Sequence, residues 1–531
     1  LRPLVSKPRH ATIDPVIHTS QLVRKMPVRR VLMSDRRGII ESMFDVQLPD
    51  VEAVCGLDGA GLVDVMRDAA RVESAAIARK LAAVAELYQR RLAEQDAEDR
   101  EQWCIDGWEQ VAAEVAVAQG ISRGRAAGQL RYGLALAERF PKLAALFAAG
   151  DVDFRVISAV VFRSELMIDD AALTRLDGWL ARNASRWSRR SYNKIVEIVD
   201  YWIQKLEPAA IRVARETEEG RHISIAPLQS GMAEIWGDVR APDAVAFDRR
   251  LDELAATVCP ADPRTKAQRR ADALSALAAR ATAMSCACAS PDCPATKQDA
   301  TVGDVVIHVL AEAATVSGDS TAPGYVPGFG GLPAEAVQQL AKSAKLRPVV
   351  HPKDSAPEPR YRPSAALADF IRCRDLTCRF PGCDRPVEYA DIDHTVPWPL
   401  GPTHPSNLKL LCRIHHLLKT FYSGPKGWQD RQEADGTVIW TSPTGHTYTT
   451  QPGGSLFFPA LAIPTGRLKS PTWTSATSAS RGLMMPTRRQ TRAADRAARN
   501  KWERGINEAR IAAEAAREAA RISACNDPPP F

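Results

Sequence analysis

Two short stretches constrain this chain more than anything else in it: CRFPGC at 378–383 and LCRIHH at 411–416. Each puts soft or borderline metal donors on a tight local turn. Cys378 and Cys383 flank a Pro-Gly pair, and Cys412 and His415 stand three residues apart. Four such donors suit a closed tetrahedral zinc site, so Cys378, Cys383, Cys412 and His415 are the expected ligands. Zinc would staple a small module that has little core of its own, because metal-binding free energy becomes folding free energy. The competing reading, two pairs of buried and unmetallated cysteines, accounts poorly for the spacing.

Composition sets the frame around those turns. With 531 residues, 45% hydrophobic and 25% charged, the chain has the length and balance for two or more domains with real cores. No apolar run approaches the roughly 18 to 20 residues of a membrane span, and no basic-then-apolar leader opens the sequence. A cytosolic protein that does not enter the membrane is expected. Six of its eleven cysteines fall into two clusters, Cys286, Cys288 and Cys293, then Cys373, Cys378 and Cys383. In a reducing compartment such clustering points to metal before disulfide. The net charge of +7 is concentrated partly in the two ends, RKMPVRR and DRRG near the start and TRRQTRAADRAARNKWERG near the finish. Such runs suit a polyanion such as DNA, or form solvated tails.

Along the chain, residues 1–50 read as a weakly ordered basic segment. The chain opens on Leu1, and Met33 ahead of SDRRGIIESMF is an alternative beginning for the translated protein. From 60, apolar residues recur at helical steps (Leu62, Val65, Met66, Ala69, Val72, Ala76, Ile77, Leu81, Val84, Leu87, Tyr88), predicting a long amphipathic helix. Further helices are expected over SRGRAAGQLRYGLALAERF, stopped by Pro141, and over KLAALFAAGDVDFRVISAVVF on either side of Gly150. That helix, turn and helix reads as packed bundle rather than a DNA-reading corner, since the second helix is apolar.

Helix continues to about 218, RHISIAPL and MAEIWGDV alternate as a hairpin, helices cover 242–258 and 265–282, and TVGDVVIHVLAEAATV at 301–316 reads as a third strand. The mainly helical domain then spans 51–350. HPKDSAPEPRYRPS makes 351–365 a linker, PSAALADFIRCRD is a short helix leading into a module at 366–425, and a terminal hairpin follows at 426–460. Residues 461–531 read as a mobile linker and a basic helical tail.

The zinc ligands leave a second set standing between them: Asp393, His394, Asn407 and His416, in DIDH at 391–394, PSNLKLLC at 405–412 and RIHHLLKT at 413–420. Over residues 371–425 this interleaving resembles the HNH endonuclease family, whose fold is strand, strand, helix and metal. The resemblance implies an α+β chain: a mainly helical N-terminal domain with a small sheet, then a zinc-stapled ββα-metal module. It implies His394 as general base toward the attacking water, and Asp393 and His416 as ligands of magnesium or manganese acting as Lewis acid at the scissile phosphate. It implies Asn407 as the residue that fixes the loop and the His394 ring, with Asp391 supporting from outside. Arg379, Lys409, Arg413 and Lys419 would touch DNA phosphates without reading sequence.

Two departures from the family pattern stand out. Many zinc-bearing relatives carry Cys where this chain has His415, which leaves Cys373 as an alternative fourth ligand. Many carry His where this chain has Asp393, a hard oxygen donor that suits magnesium or manganese.

More widely, AALFAAGDVDFRVISAVV, QRRADALSALAAR and FGGLPAEAVQQLA resemble the actinobacterial domain of unknown function 222, and IRCRDLTCRFPGCD with DIDHTVPWPLGPTHPSNLK resembles the mycobacterial 13E12 repeat family, tied to repeated genomic elements. The expected function is therefore metal-dependent DNA cleavage. The alternatives are a nucleic-acid-binding protein of such an element whose nuclease is silent or needs a partner, and a zinc-stabilised scaffold. Exposed Ala-rich helices would suit a homodimer. The remaining cluster, CACASPDC at 286–293, offers three thiolates; a second zinc would need a fourth ligand such as Cys259 or His308.

Overall fold

The computed structural model describes residues 49–94, 100–187, 190–212, 221–228, 231–288, 290–293, 295, 308–342, 344–353, 355–424, 426–466, 468 and 485–526. The basic N-terminal segment, the first half of the strand expected at 301–316, and most of the Ser, Thr and Pro-rich stretch lie outside them. The chain divides into two compact units, one ending at Ala70 and one beginning at Arg71. In the first, the described residues form the one-turn helix Val51–Val54 and the opening turns of α1 (Gly59–Glu94).

In the second unit the apolar period of α1 places Ala75, Ala78, Leu81, Val84 and Ala85 in the core. Helix α2 (Gly107–Gln119) is capped by the Asp106 carboxylate, which accepts from Glu109 N, and ends at Gly120 in the left-handed region. It is almost wholly buried, so its two carboxylates are paired: Glu114 with Arg91 at 2.8 Å and Glu109 with Arg123 at 2.6 Å. Helix α3 (Arg123–Glu138) crosses α1 at Gly133, where any Cβ would sit 2.5 Å from Leu81 O. Pro141 does not merely stop α3; it opens α4 (Pro141–Ala148), whose first free amides, Lys142 N and Leu143 N, are each 3.0 Å from the buried Asp177 carboxylate. Helices α5 (Phe154–Arg163), α6 (Asp170–Asn183) and α7 (Tyr192–Leu206) complete a bundle around Phe140, Leu143, Phe147, Val156, Ile157, Leu180 and Val199. The α4–α5 corner is core, as its apolar second helix requires.

The expected hairpin is present as β1 (His222–Pro227) and β2 (Ala233–Asp238), and α8 (Ala241–Ala255) packs against α9 (Lys266–Ala278). The expected strand at 301–316 is not found in its described half. Leu310 makes only an isolated bridge to Tyr325, and α10 (Ala313–Ser317) is helical. The small sheet is instead two separate hairpins, β1–β2 and β3 (Gly324–Val326) with β4 (Gly330–Leu332), followed by α11 (Ala334–Ala341).

Beyond α11 the chain builds α12 (Ala365–Asp375), the antiparallel pair β5 (Ala390–His394) and β6 (Leu408–Cys412), and α13 (Arg413–Phe421), which packs on both strands. The terminal hairpin proves to be three strands, β7 (Gln429–Gln432), β8 (Val438–Thr441) and β9 (Thr447–Thr450). Trp440 from this sheet and Trp428 just ahead of it share one apolar cluster with Phe380, Leu411 and Leu418 of the ββα unit and with Ile105, Ala113 and Val117 from the helical region. The boundaries expected around residues 366–425 therefore cut through a continuous core.

Two further segments are tied down. The stretch expected as a linker pairs Glu358 with Thr403, and its Ser355 and Arg360 carbonyls accept from His404 and Thr403 of the module. The tail helix α14 (Arg492–Asn526) docks its first half: Arg492 on Asp106 and Glu109, Arg504 on Glu207, and Asn507 on the carbonyls of Ala209 and Ile211. Among the described residues no helix is long and apolar enough to cross a membrane.

Candidate metal centre and the histidine beside it

Cys378 and Cys383 sit on a knuckle closed by Cys378 N to Arg385 O (2.9 Å) and Cys383 N to Phe380 O (3.1 Å), with Gly382 supplying the positive φ the turn needs. Cys412 ends β6 and is the residue before α13, and His415 lies in the first turn of that helix. The four donor atoms all fall within 4.8 Å of one another. His415 Nδ1 is 3.3 Å from Cys412 Sγ and 3.5 Å from Cys378 Sγ. Edges of a tetrahedral zinc site are roughly 3.5 to 3.8 Å, so these side chains fit a metal ion such as zinc without rearrangement. Phe380 stacks on the His415 ring at 4.0 Å and excludes water from one side. Cys373, the alternative fourth ligand, does not belong to this group; it lies on α12, where burial pushes its thiol up to about 11.

Near the end of β5, Asp393 is nearly buried and flanked by three cationic or titratable groups. Its Oδ2 lies 2.9 Å from Lys409 Nζ and 2.6 Å from Lys419 Nζ, and its Oδ1 lies 3.4 Å from His416 Nε2. Burial alone would raise this carboxyl, but Lys409, Lys419 and His416 outweigh it and hold Asp393 well below the usual carboxylate range. His416 Nδ1 is 3.3 Å from Asp391 Oδ2. The ring thus stands between two carboxylates, with Nδ1 toward Asp391 and Nε2 toward Asp393 Oδ1. Adjacent ligands on a small divalent cation stand roughly 3 Å apart, so Asp393 Oδ1 and His416 Nε2 fit one such ion.

His394 ends β5 and is 6% exposed. The Thr403 hydroxyl has one proton, which it gives to Arg360 O, so Thr403 Oγ1 accepts from His394 Nε2–H at 2.9 Å. That leaves Nδ1 as the basic nitrogen. Burial lowers the affinity of this ring for a proton, Asp393 works against that, and Lys419 and Lys409 add to the lowering. Tyr361, from the expected linker, stacks on His394 with centroids 5.3 Å apart. Asn407 ties the loop together, donating to Val396 O (3.0 Å) and Pro402 O (2.9 Å) and accepting from Val396 N (2.8 Å). It does not touch the His394 ring; Thr403 and Tyr361 orient that.

Three of the four expected phosphate contacts are turned inward. Arg379 is 2% exposed, pairs with Asp375 at 3.0 Å and donates to Thr450 O. Lys409 is fully buried between Asp393 and Asp430, the latter 2.6 Å away, and Lys419 bridges the same two carboxylates. Only Arg413 of the four is exposed, 3.8 Å from Asp391. Lysines and arginines between strands look alike in sequence whether they face solvent or a buried acid, and the partner acid Asp430 arrives from β7. The residues that sequence reasoning missed, Thr403, Tyr361 and Asp430, carry no local signature; the alternation of β7 was the one hint that an acid there points inward.

A family model described as "Domain of unknown function (DUF222)" matches residues 68–375. The uncharacterized protein Rv2100 of Mycobacterium tuberculosis is 45% identical over 536 residues, covering 93% of this chain and 96% of the relative. The uncharacterized protein Rv3776 of the same organism is 45% identical over 490 residues, covering 87% and 93%. No solved structure matches the chain.

Proposed function

Because the chain belongs to the DUF222 family, whose name assigns no chemistry, we propose its function from the site itself: a metal-dependent HNH-type endonuclease that hydrolyses DNA phosphodiester bonds. The observation that carries the reading is the pairing of a buried His394 with the Asp393 and His416 donor pair on one ββα unit. His394 Nδ1 takes a proton from water as its oxygen attacks phosphorus, and the bond to the leaving sugar oxygen breaks. Thr403 keeps Nε2 protonated and so keeps the lone pair at Nδ1. Asp393 Oδ1 and His416 Nε2 would hold magnesium or manganese, which supplies Lewis-acid neutralisation of the developing charge. Asp391 stands at His416 Nδ1, Asn407 braces the loop after β5, and Arg413 together with the exposed Arg360 to Arg362 segment faces the phosphates. The zinc cluster holds α13 and β6 in register beneath them.

The test is plasmid cleavage by full-length protein with and without magnesium or manganese, beside His394→Ala matched for zinc content. Metal-dependent nicking lost in the variant is the expected result. Equal nicking by both proteins would remove His394 from the chemistry. A second reading, a DNA-binding protein whose nuclease waits for a partner, rests on Tyr361 lying over His394. It predicts a gel shift with intact plasmid, and cleavage by a Tyr361→Ala variant.

A further inference from the structure

Four cysteines far from the first centre converge on a second one. Cys259 follows α8, and Cys286, Cys288 and Cys293 lie in the loop after α9; their sulfurs all fall within 4.8 Å of one another. Cys286 and Cys259 sulfurs are 3.5 Å apart, well beyond the roughly 2.05 Å of a disulfide and close to the roughly 3.8 Å edge of a tetrathiolate zinc site. His308, the other candidate for the fourth place, is not in the group.

The surroundings are built to hold this convergence. Asp262, whose side chain is fully buried, accepts from Ala287 N (2.9 Å) and Arg264 N (3.0 Å) and pairs with the Arg264 guanidinium at 2.7 Å. Arg264 in turn donates to Ser285 O at 2.9 Å, and Thr257 Oγ1 accepts from Met284 N at 2.9 Å. These bonds clamp the loop carrying Cys286 and Cys288 against the segment carrying Cys259. Backbone amides two residues on donate to sulfur at both ends, Ala261 to Cys259 and Ser290 to Cys288, as Arg385 does to Cys383 at the first centre.

We propose that Cys259, Cys286, Cys288 and Cys293 bind a second, structural zinc ion. Four soft sulfur donors exclude magnesium and calcium, and full coordination by protein leaves no open position for catalysis. The apolar cluster here is small, formed by Leu251, Leu254, Val258, Ala273, Met284 and Ala295 with the cysteines themselves. Metal binding supplies what that core lacks and fixes α8, α9 and their loop as one body. The site is independent of the nuclease reading.

Native mass spectrometry of the full-length protein, grown with zinc and purified under reducing conditions, tests this. The expected result is two zinc ions per chain, falling to one in Cys286→Ser/Cys293→Ser and to one in Cys378→Ser/Cys383→Ser. The parent protein gives a second readout that needs no variant: peptide-resolved iodoacetamide labelling in which Cys259, Cys286, Cys288 and Cys293 are modified only after chelation. One zinc per parent chain, labelling of these four cysteines at equal rates with and without chelator, or a disulfide among them would each overturn the proposal.

Discussion

Lys419 Nζ lies 2.6 Å from Asp393 Oδ2 and donates as well to the Thr395 carbonyl at 3.1 Å, so a lysine that could have reached for DNA instead braces the end of β5. Lys409 does the same from β6, directly across the register from Asp393. Both ammonium groups serve the interior of the unit.

Removing one of them should therefore be read in stability first. Lys409→Met leaves Lys419 to serve both buried carboxylates, Asp393 and Asp430, and is expected to cost about 3 kcal/mol. Arg413→Ala, on the surface, should change stability by less than about 0.5 kcal/mol. Urea unfolding of the two variants separates these outcomes; equal and small effects would return Lys409 to the role of a phosphate ligand.

Metal removal should unfold the ββα unit locally. Structural zinc contributes on the order of 10 kcal/mol in small modules, comparable to the whole stability of an ordinary domain. With chelator present, amides of β6 and β8 should lose their protection against hydrogen exchange, because the Cys412 strand and Trp440 share the cluster around Phe380. The α4 to α7 bundle should retain it. Unchanged protection in β6 would mean that the apolar cluster suffices by itself.

Acid should loosen the loop over His394 through His404. Its Nδ1 accepts from Ser406 N at 3.1 Å and its Nε2–H donates to Ser355 O at 3.1 Å, a pairing that requires the neutral ring. Burial lowers its pKa in the folded chain, while the Ser355 carbonyl partly offsets this. The unfolded chain then binds the proton more readily, so the stabilisation is complete above about pH 6.5 and declines as pH falls toward the folded value. The urea midpoint should drop between pH 8 and pH 5, and drop less in His404→Gln. Identical slopes would assign the acid sensitivity elsewhere.

The tail helix should release in two parts. Arg504→Ala removes a charge-assisted bond to Glu207 and another to Leu166 O at 3.0 Å. Such bonds contribute about 1.5 to 3 kcal/mol, so hydrogen exchange over Arg492–Asn507 should accelerate roughly tenfold or more. The distal turns of α14 are already exposed and should exchange at the parent's rate. No acceleration would mean that the Asp106 and Asn507 contacts hold the helix without it.

Much of the architecture was legible because it is local. Helical periodicity located α1, α3 and the α4–α5 corner, and alternation located β1–β2 and the region of β7 to β9. The failures are non-local. Residues 313–317 alternate poorly and sit at a chain reversal that only the pairing of Leu310 with Tyr325 defines. The Pro-rich stretch at 351–365 has a linker's composition, yet its carbonyls serve Thr403 and His404 from more than 40 positions away.

What the sequence determined by itself was the first candidate metal centre, Cys378, Cys383, Cys412 and His415, and the order of groups around it. Cys378 with Cys383 and Cys412 with His415 are each fixed by a turn of a few residues, and His394 and His416 are placed by the strand and helix that carry them. Only the tertiary structure decided which cations are ligands to buried acids rather than to phosphate, that Tyr361 covers His394, and that Cys259 rather than His308 joins the second cysteine cluster. Those outcomes depend on which distant segments approach one another. Spacing along the chain encodes a turn, but the approach of two turns is set by the packing of everything between them.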